Sequence, residues 1–212
     1  MDKRFCIFDM DGTLVDSMSW WMGLSAEYLA DQGIVPTPEE LEPLRPMTML
    51  EGAAYLLELY HLPGTPEAMV AGMEDMMDGH YRRDIPLKPG MAAYLAELAD
   101  RGVQMCVATA TAEPLARACL SRLGVDGRFT FILSCETLGV GKTRPDIYLE
   151  AARRFGAEPK DIAVFEDALY AAETAKKAGF YVVGVHEDAY GEDWPKLTAL
   201  ADEILFDGRN DV

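Results

Sequence analysis

The segment Asp9-Met10-Asp11-Gly12-Thr13 sets two carboxylates two residues apart, directly at the end of the apolar run Arg4 to Asp9. Two acids in different surroundings can divide labour: one attacks or ligates a metal while the other moves protons. Gly12 lets the chain turn away from them sharply. Three further apolar runs end in matching chemistry. Thr109-Ala110-Thr111 follows VQMCVA, Lys142 lies in the loop after TFILS, and Glu166-Asp167 follows IAVF directly. Each has an ordinary reading when taken alone: Asp-Gly as a turn, Thr109 and Glu166-Asp167 as helix caps, Lys142 as a solvated lysine. Together, a hydroxyl, an ammonium and two acidic pairs at one sheet edge would put a metal site beside an anion site.

Six short runs rich in β-branched and aromatic residues must position these groups: Arg4 to Asp9, Val103 to Ala108, Thr130 to Ser134, Ile162 to Phe165, Tyr181 to Val185 and Glu203 to Phe206. Nearly all are continuously apolar, as strands covered by helices on both faces must be. Helix-length patterns lie between them, and Gly102, Gly124, Gly156 and Gly179 mark the helix ends. The expected fold is therefore α/β, a doubly wound Rossmann-like parallel sheet. One gap breaks the alternation. Between the first and second strands, Ser17 to Gln32, Thr48 to Tyr60, Pro66 to Asp78 and Met91 to Arg101 have helical apolar spacing. The last is a crossover helix of the sheet; the rest predict an inserted α-helical cap over 16–87, with Pro86 and Pro89 in its return linker. Residues 1–15 and 88–212 then form the catalytic core. An insertion just past the first strand is placed to act as a lid over the crevice at the strand ends.

On these motifs the chain resembles the haloacid dehalogenase-like hydrolase superfamily, in its branch with a helical cap inserted after the first motif. DMDGT at Asp9, the hydroxyl of Thr109, Lys142 followed by RPDIY, and FEDA ending at Asp167 stand in the family's order. The resemblance implies Asp9 as nucleophile, Asp11 as general acid and base, and Thr109 with Lys142 holding the transferring phosphoryl group, alongside Gly12 and Ala110. It further implies Mg²⁺ bound by Asp9, Glu166, Asp167 and the main-chain carbonyl of Asp11. An acid at Asp11 favours phosphate chemistry over dehalogenation. The expected activity is hydrolysis of a small phosphorylated metabolite, such as a sugar phosphate, through an aspartyl phosphate; the alternative is a sugar phosphomutase using the same nucleophile. Trp21 stands where such mutases commonly carry His, which favours the phosphatase. No Lys occurs between Arg4 and Pro86, so the phosphonate-cleaving chemistry that uses a cap lysine is not expected. The family's usual EDSxxG is EDALYA here, with Ala168 and Ala171 as the departures. In the cap, Trp20, Trp21 and Arg45 are candidate substrate contacts. The stripe Met69, Met73, Met76 and Met77 suits helix packing, and His61, His80 and His186 show no metal spacing.

Composition narrows the partners. Among 212 residues, 36 acidic and 19 basic side chains leave a net charge of -17, which repels phosphate backbones and anionic lipids. Nucleic acid and membrane are excluded as expected partners, and a cytoplasmic monomer or weak homodimer is the expectation. Cys6, Cys106, Cys119 and Cys135 have no CxxC spacing and read as buried reduced thiols. Two rival classes share some features. Gly139-Val140-Gly141-Lys142-Thr143 ends like a nucleotide-binding P-loop, yet Glu136 occupies the position of that motif's first Gly. A phospho-accepting signalling module also combines strand-end acids, a hydroxyl and a lysine, but needs neither a second acid like Asp11 nor a lid.

Overall fold

The apolar runs pair into one seven-stranded sheet in the order β3-β2-β1-β4-β5-β6-β7. The computed structural model describes residues 2–45 and 47–206 in full and the backbone of 209–211. Its strands are β1 (Phe5–Phe8), β2 (Gln104–Thr109), β3 (Phe129–Ser134), β4 (Ile162–Glu166), β5 (Tyr181–Val185), β6 (Glu203–Phe206) and β7 (Arg209–Asp211). The first six are parallel, and β7 adds an antiparallel edge next to β6. That edge was absent from the sequence reading, because three residues without an apolar run carry no periodic signal.

The chain order reverses at β1, which lies between β2 and β4. This is the switch point at which doubly wound sheets leave a crevice beyond the strand ends. Alternation along β1 serves both faces of the sheet. Ile7 joins a buried cluster with Tyr148 and Ala151 of α8 (Asp146–Phe155) and Ala172 and Ala175 of α9 (Leu169–Lys177). Phe8 stacks on Phe165 at 4.2 Å between ring centroids. Phe165 in turn meets the edge of Tyr94 from α5 (Met91–Asp100). The remaining helices of this unit are α6 (Glu113–Arg122), α7 (Cys135–Leu138) and α10 (Trp194–Leu200). All four cysteines are buried and unbridged, and burial raises the thiol pKa of each.

The chain divides into two compact units, 1–18 with 85–212, and 19–84. Asp16, Ser17 and Met18, together with Ile85, Pro86 and Leu87, were expected in the insertion but belong with the sheet. Backbone bonds explain this: Asp16 N–H donates to Pro86 O, Lys88 N–H donates to Leu14 O, and Val15 bridges Leu87 antiparallel. Outgoing and return segments thus form a short ladder before the chain leaves the sheet unit.

The second unit contains most of α1 (Met18–Asp31), then α2 (Pro38–Leu41), α3 (Met49–Leu59) and α4 (Pro66–Arg83). Thr37 and Thr48 each close a capping box, with Glu40 and Glu51 respectively. Met69, Met73 and Met77 are buried along α4, which extends five residues beyond the predicted Asp78. The cause is His80. This imidazole stacks on Trp20 at 4.2 Å and lies between Glu27 (2.9 Å) and Asp84 (2.9 Å). Burial opposes its protonation, but hydrogen bonds and charge from Asp84 and Glu27 outweigh burial and raise its pKa. A base whose pKa is raised on folding adds stability below its unfolded value, near 6.5, and loses it as pH rises through the folded value. His80→Gln is therefore expected to lower Tm at pH 6, and the gap from wild type should shrink above pH 8. Thermal melts across that range check it; a constant gap would show that the imidazolium charge contributes nothing.

Candidate active site

Every strand-end group in the sheet unit named from sequence emerges at the carboxyl edge around the switch point. The turn after β1 is tight: Leu14 and Val15 N–H both donate to Met10 O, and Gly12 N–H donates to Val15 O. Gly12 has φ 74°, and a Cβ there would run into the Asp167 carboxylate. Glycine is thus required both by backbone conformation and by the closeness of a second acidic strand end. Asp9 is held in line by its N–H, which donates to Phe165 O of β4 at 3.0 Å.

Carboxylate oxygens of Asp9, Glu166 and Asp167 lie within 4.8 Å of one another. Lys142 is 5% exposed; its Nζ pairs with Asp9 Oδ1 and donates to Glu166 Oε1 at 2.8 Å. Thr13 Oγ1 donates to Asp167 Oδ1 at 2.9 Å. The ordinary readings of these residues fail one by one. Lys142 is not solvated; α6 starts from Ala112 and α9 from Ala168, with no side-chain cap at either, so Thr109, Glu166 and Asp167 cap nothing.

The electrostatics follow from burial. Desolvation and then Glu166 push the Asp9 carboxyl well above its usual range, with Lys142 opposing. The same two causes raise Asp167 to about 7, opposed by Thr13 and Lys142. Burial pulls Lys142 down, but Asp9 and Glu166 more than offset it, and its pKa ends above the ordinary lysine value. When ionised, three carboxylates against one ammonium leave a formal excess of two negative charges, which a divalent cation would neutralise.

One atom argues for that cation directly. Glu166 Oε1 accepts from both Lys142 and the phenol of Tyr148, at 2.8 and 2.7 Å, whereas the buried Oε2 has no hydrogen-bond partner. A buried acceptor without a donor is costly, and ligation of a metal or its water would satisfy it. Tyr148 was not given a role from sequence, although it lies in the quoted segment RPDIY. Its placement on Glu166 arises only when α8 packs against β4. Tyr148→Phe keeps the ring volume and frees Oε1 to rotate, so divalent-metal affinity is expected to fall on the order of 10- to 100-fold. Metal titration by calorimetry checks this; unchanged affinity with a normal fold would dismiss the orienting role.

Asp11 stands apart from the cluster. Its carboxylate accepts from Ser17 Oγ at 2.7 Å and from Thr111 Oγ1 at 2.6 Å. The metal-site reading of Asp11 therefore concerns only its main-chain carbonyl. Thr109 is fully buried, with its Oγ1 accepting from Thr111 N–H at 3.0 Å, and Ala110 is exposed between them. Ser17 and Thr111 were missed as partners of Asp11, because six and one hundred residues separate them from it. In the helical unit, Trp21 Nε1–H donates to Tyr81 OH at 3.0 Å, and exposed Arg45 pairs with Glu42 at 3.1 Å.

Strand-end acids, a buried lysine and a hydroxyl around the β1 switch point define a site with a metal-competent acidic cluster beside an anion-holding cation, at the carboxyl edge of a doubly wound α/β sheet. A family profile described as haloacid dehalogenase-like hydrolase matches residues 3–179, and the chain belongs to that family. Hexitol phosphatase A of Escherichia coli (strain K12) is 29% identical over 92% of this chain and 87% of its own length. Beta-phosphoglucomutase of Bacillus subtilis (strain 168) is likewise 29% identical, over 91% of this chain and 85% of its own. A HAD family hydrolase from Deinococcus radiodurans R1, solved with bound phosphate and sodium, shares the fold with a TM-score of 0.75. It is 23% identical, with 96% and 91% of the two chains covered. Among the described residues, no helix is long and apolar enough to cross a membrane.

Proposed function

We propose that the protein is a Mg²⁺-dependent phosphatase of small phosphomonoesters, chiefly sugar or polyol phosphates, acting through an aspartyl phosphate on Asp9. The observation that carries this reading is the separation of two acids two residues apart: Asp9 in the buried lysine-paired cluster, Asp11 on hydroxyl donors outside it. That separation supports attack by one carboxylate and proton transfer by the other. A carboxylate oxygen of Asp9 attacks phosphorus, and Asp11 donates a proton to the departing alkoxide. Asp11 then takes a proton from water, the water oxygen attacks the phosphorus of the acyl phosphate, and Asp9 is released with inorganic phosphate. Lys142 and Thr109 hold phosphoryl oxygens, with the backbone at Gly12 and Ala110 beside them. Asp9, Glu166, Asp167 and the Asp11 carbonyl would hold Mg²⁺, which when bound supplies positive charge against the phosphoryl oxygens.

Relatives named for hexitol and fructose-1-phosphate phosphatase activity support the substrate class. Phosphate release from sugar phosphates, alditol phosphates, phosphoglycolate and nucleotides, with and without Mg²⁺, tests the proposal. Metal-dependent release from at least one small sugar or polyol monophosphate is expected. Interconversion of hexose phosphates without release would make the chain a mutase, and no reaction with any ester would overturn both.

A further inference from the structure

Immediately past Asp167 lies a recess of about 190 Å³ lined by Ala168, Leu169, Tyr170, Glu173, Tyr190 and Asp193. Tyr170 belongs to the first turn of α9 after β4, and Tyr190 to the short turn Asp188–Tyr190 after β5. Because β4 and β5 are neighbouring parallel strands, both tyrosines stand at the sheet edge that carries Asp9, Glu166 and Asp167. The proximity is also felt electrically. Burial, then the charges of Asp167, Tyr170 and Asp9, push the Tyr190 phenol up to about 12.

The walls suit one kind of chemistry. Tyr170 is 53% and Tyr190 36% exposed, and among the described residues neither hydroxyl has a hydrogen-bond partner. Glu173 and Asp193 each hold a lysine of their own helix, Lys177 and Lys196, and none of the six lining residues is itself a cation. Ala168, where the family usually has Ser, leaves the floor apolar. The loop bearing Tyr190 is fixed from below: buried Glu187 accepts from Ala189 N–H at 3.1 Å and from Lys88 Nζ at 2.6 Å. Aromatic faces cover C–H surfaces while phenols and carboxylates bond hydroxyls. A second phosphate would meet two carboxylates and no cation among those six residues.

We propose that this recess is the subsite for the uncharged, hydroxyl-rich part of the substrate, a polyol or monosaccharide. The inference rests on the phosphatase reading and narrows it: monophosphates of polyols and monosaccharides are preferred over sugar bisphosphates. Tyr170 and Tyr190 are then specificity-determining residues on the sheet unit.

The test compares kcat and KM for hexitol monophosphates and for acetyl phosphate, which has no polyol to place, in wild type, Tyr170→Ala, Tyr190→Ala and the two Phe variants. Each Ala variant is expected to raise KM for the hexitol phosphate about tenfold, and to lower its selectivity over acetyl phosphate in proportion. The Phe variants, which keep the rings, should fall between. NMR of the tyrosine ring signals during titration with free sorbitol keeps the subsite separable from the activity. Ring shifts at Tyr170 and Tyr190 without phosphate release from any ester would overturn the phosphatase and uphold the subsite. Phosphate release with unchanged selectivity in both Ala variants, and ring signals unmoved by sorbitol, would overturn the subsite alone.

Discussion

Asp9→Asn abolishes turnover, with a loss on the order of 10⁴-fold or more in kcat, as expected for removal of an attacking group, and leaves the fold intact. The amide keeps an oxygen toward Lys142 but cannot attack phosphorus. Stability supplies a second readout. An acid whose pKa is raised on folding contributes least to stability once pH exceeds that value, and burial among Glu166 and Asp167 raises Asp9 in this way. Replacing it by a neutral amide removes like-charge repulsion, so Tm without metal should hold or rise. Added Mg²⁺ should then stabilise the variant less than wild type, since one of three clustered carboxylates is gone. Phosphate release and thermal melts with and without Mg²⁺ measure both effects. Activity near the wild-type level would sink the nucleophile assignment; a large drop in Tm would show that Asp9 is chiefly structural.

Lys142→Met carries the second largest expectation, and it acts on stability as strongly as on rate. The ammonium is almost wholly buried between Asp9 and Glu166. Methionine fills much of the volume but leaves those carboxylates without their shared cation. Breaking a buried ion pair from one side costs about 3–5 kcal/mol, a substantial part of the roughly 5–15 kcal/mol that stabilises a typical domain. A divalent cation restores part of the missing positive charge, so the Tm deficit should narrow at saturating Mg²⁺. Activity should remain about 10²- to 10³-fold down even there, because one donor to the phosphoryl oxygens is missing. A Tm deficit that metal does not narrow would mean that the two cations do not serve the same carboxylates.

These two variants and Tyr148→Phe divide what sequence disclosed from what it did not. Asp9, Glu166 and Asp167 were legible because each ends or follows an apolar run, Lys142 because it lies in the loop after one, and strand ends of a parallel sheet must share an edge. Tyr148 was hidden because a tyrosine on an amphipathic helix reads as core, which it also is: the ring belongs to the buried cluster while its hydroxyl reaches Glu166. Ser17 and Thr111 were hidden for another reason. Hydroxyls near turns are common, and only the fold brings these two onto one carboxylate. Trp21 is legible from sequence only as a cap residue, and the structure adds that its one polar hydrogen goes to Tyr81.

By itself, the sequence determined the parallel sheet, the helical insertion and the identities of the chemically competent side chains, because apolar periodicity and strand-end position are local properties that survive without a three-dimensional frame. Only the tertiary structure decided which oxygen of Glu166 is left bare, which hydroxyls hold Asp11, and that Tyr170 and Tyr190 flank one recess. Those facts depend on contacts between segments distant in the chain, and a contact of that kind is fixed by packing, not by any pattern along the sequence.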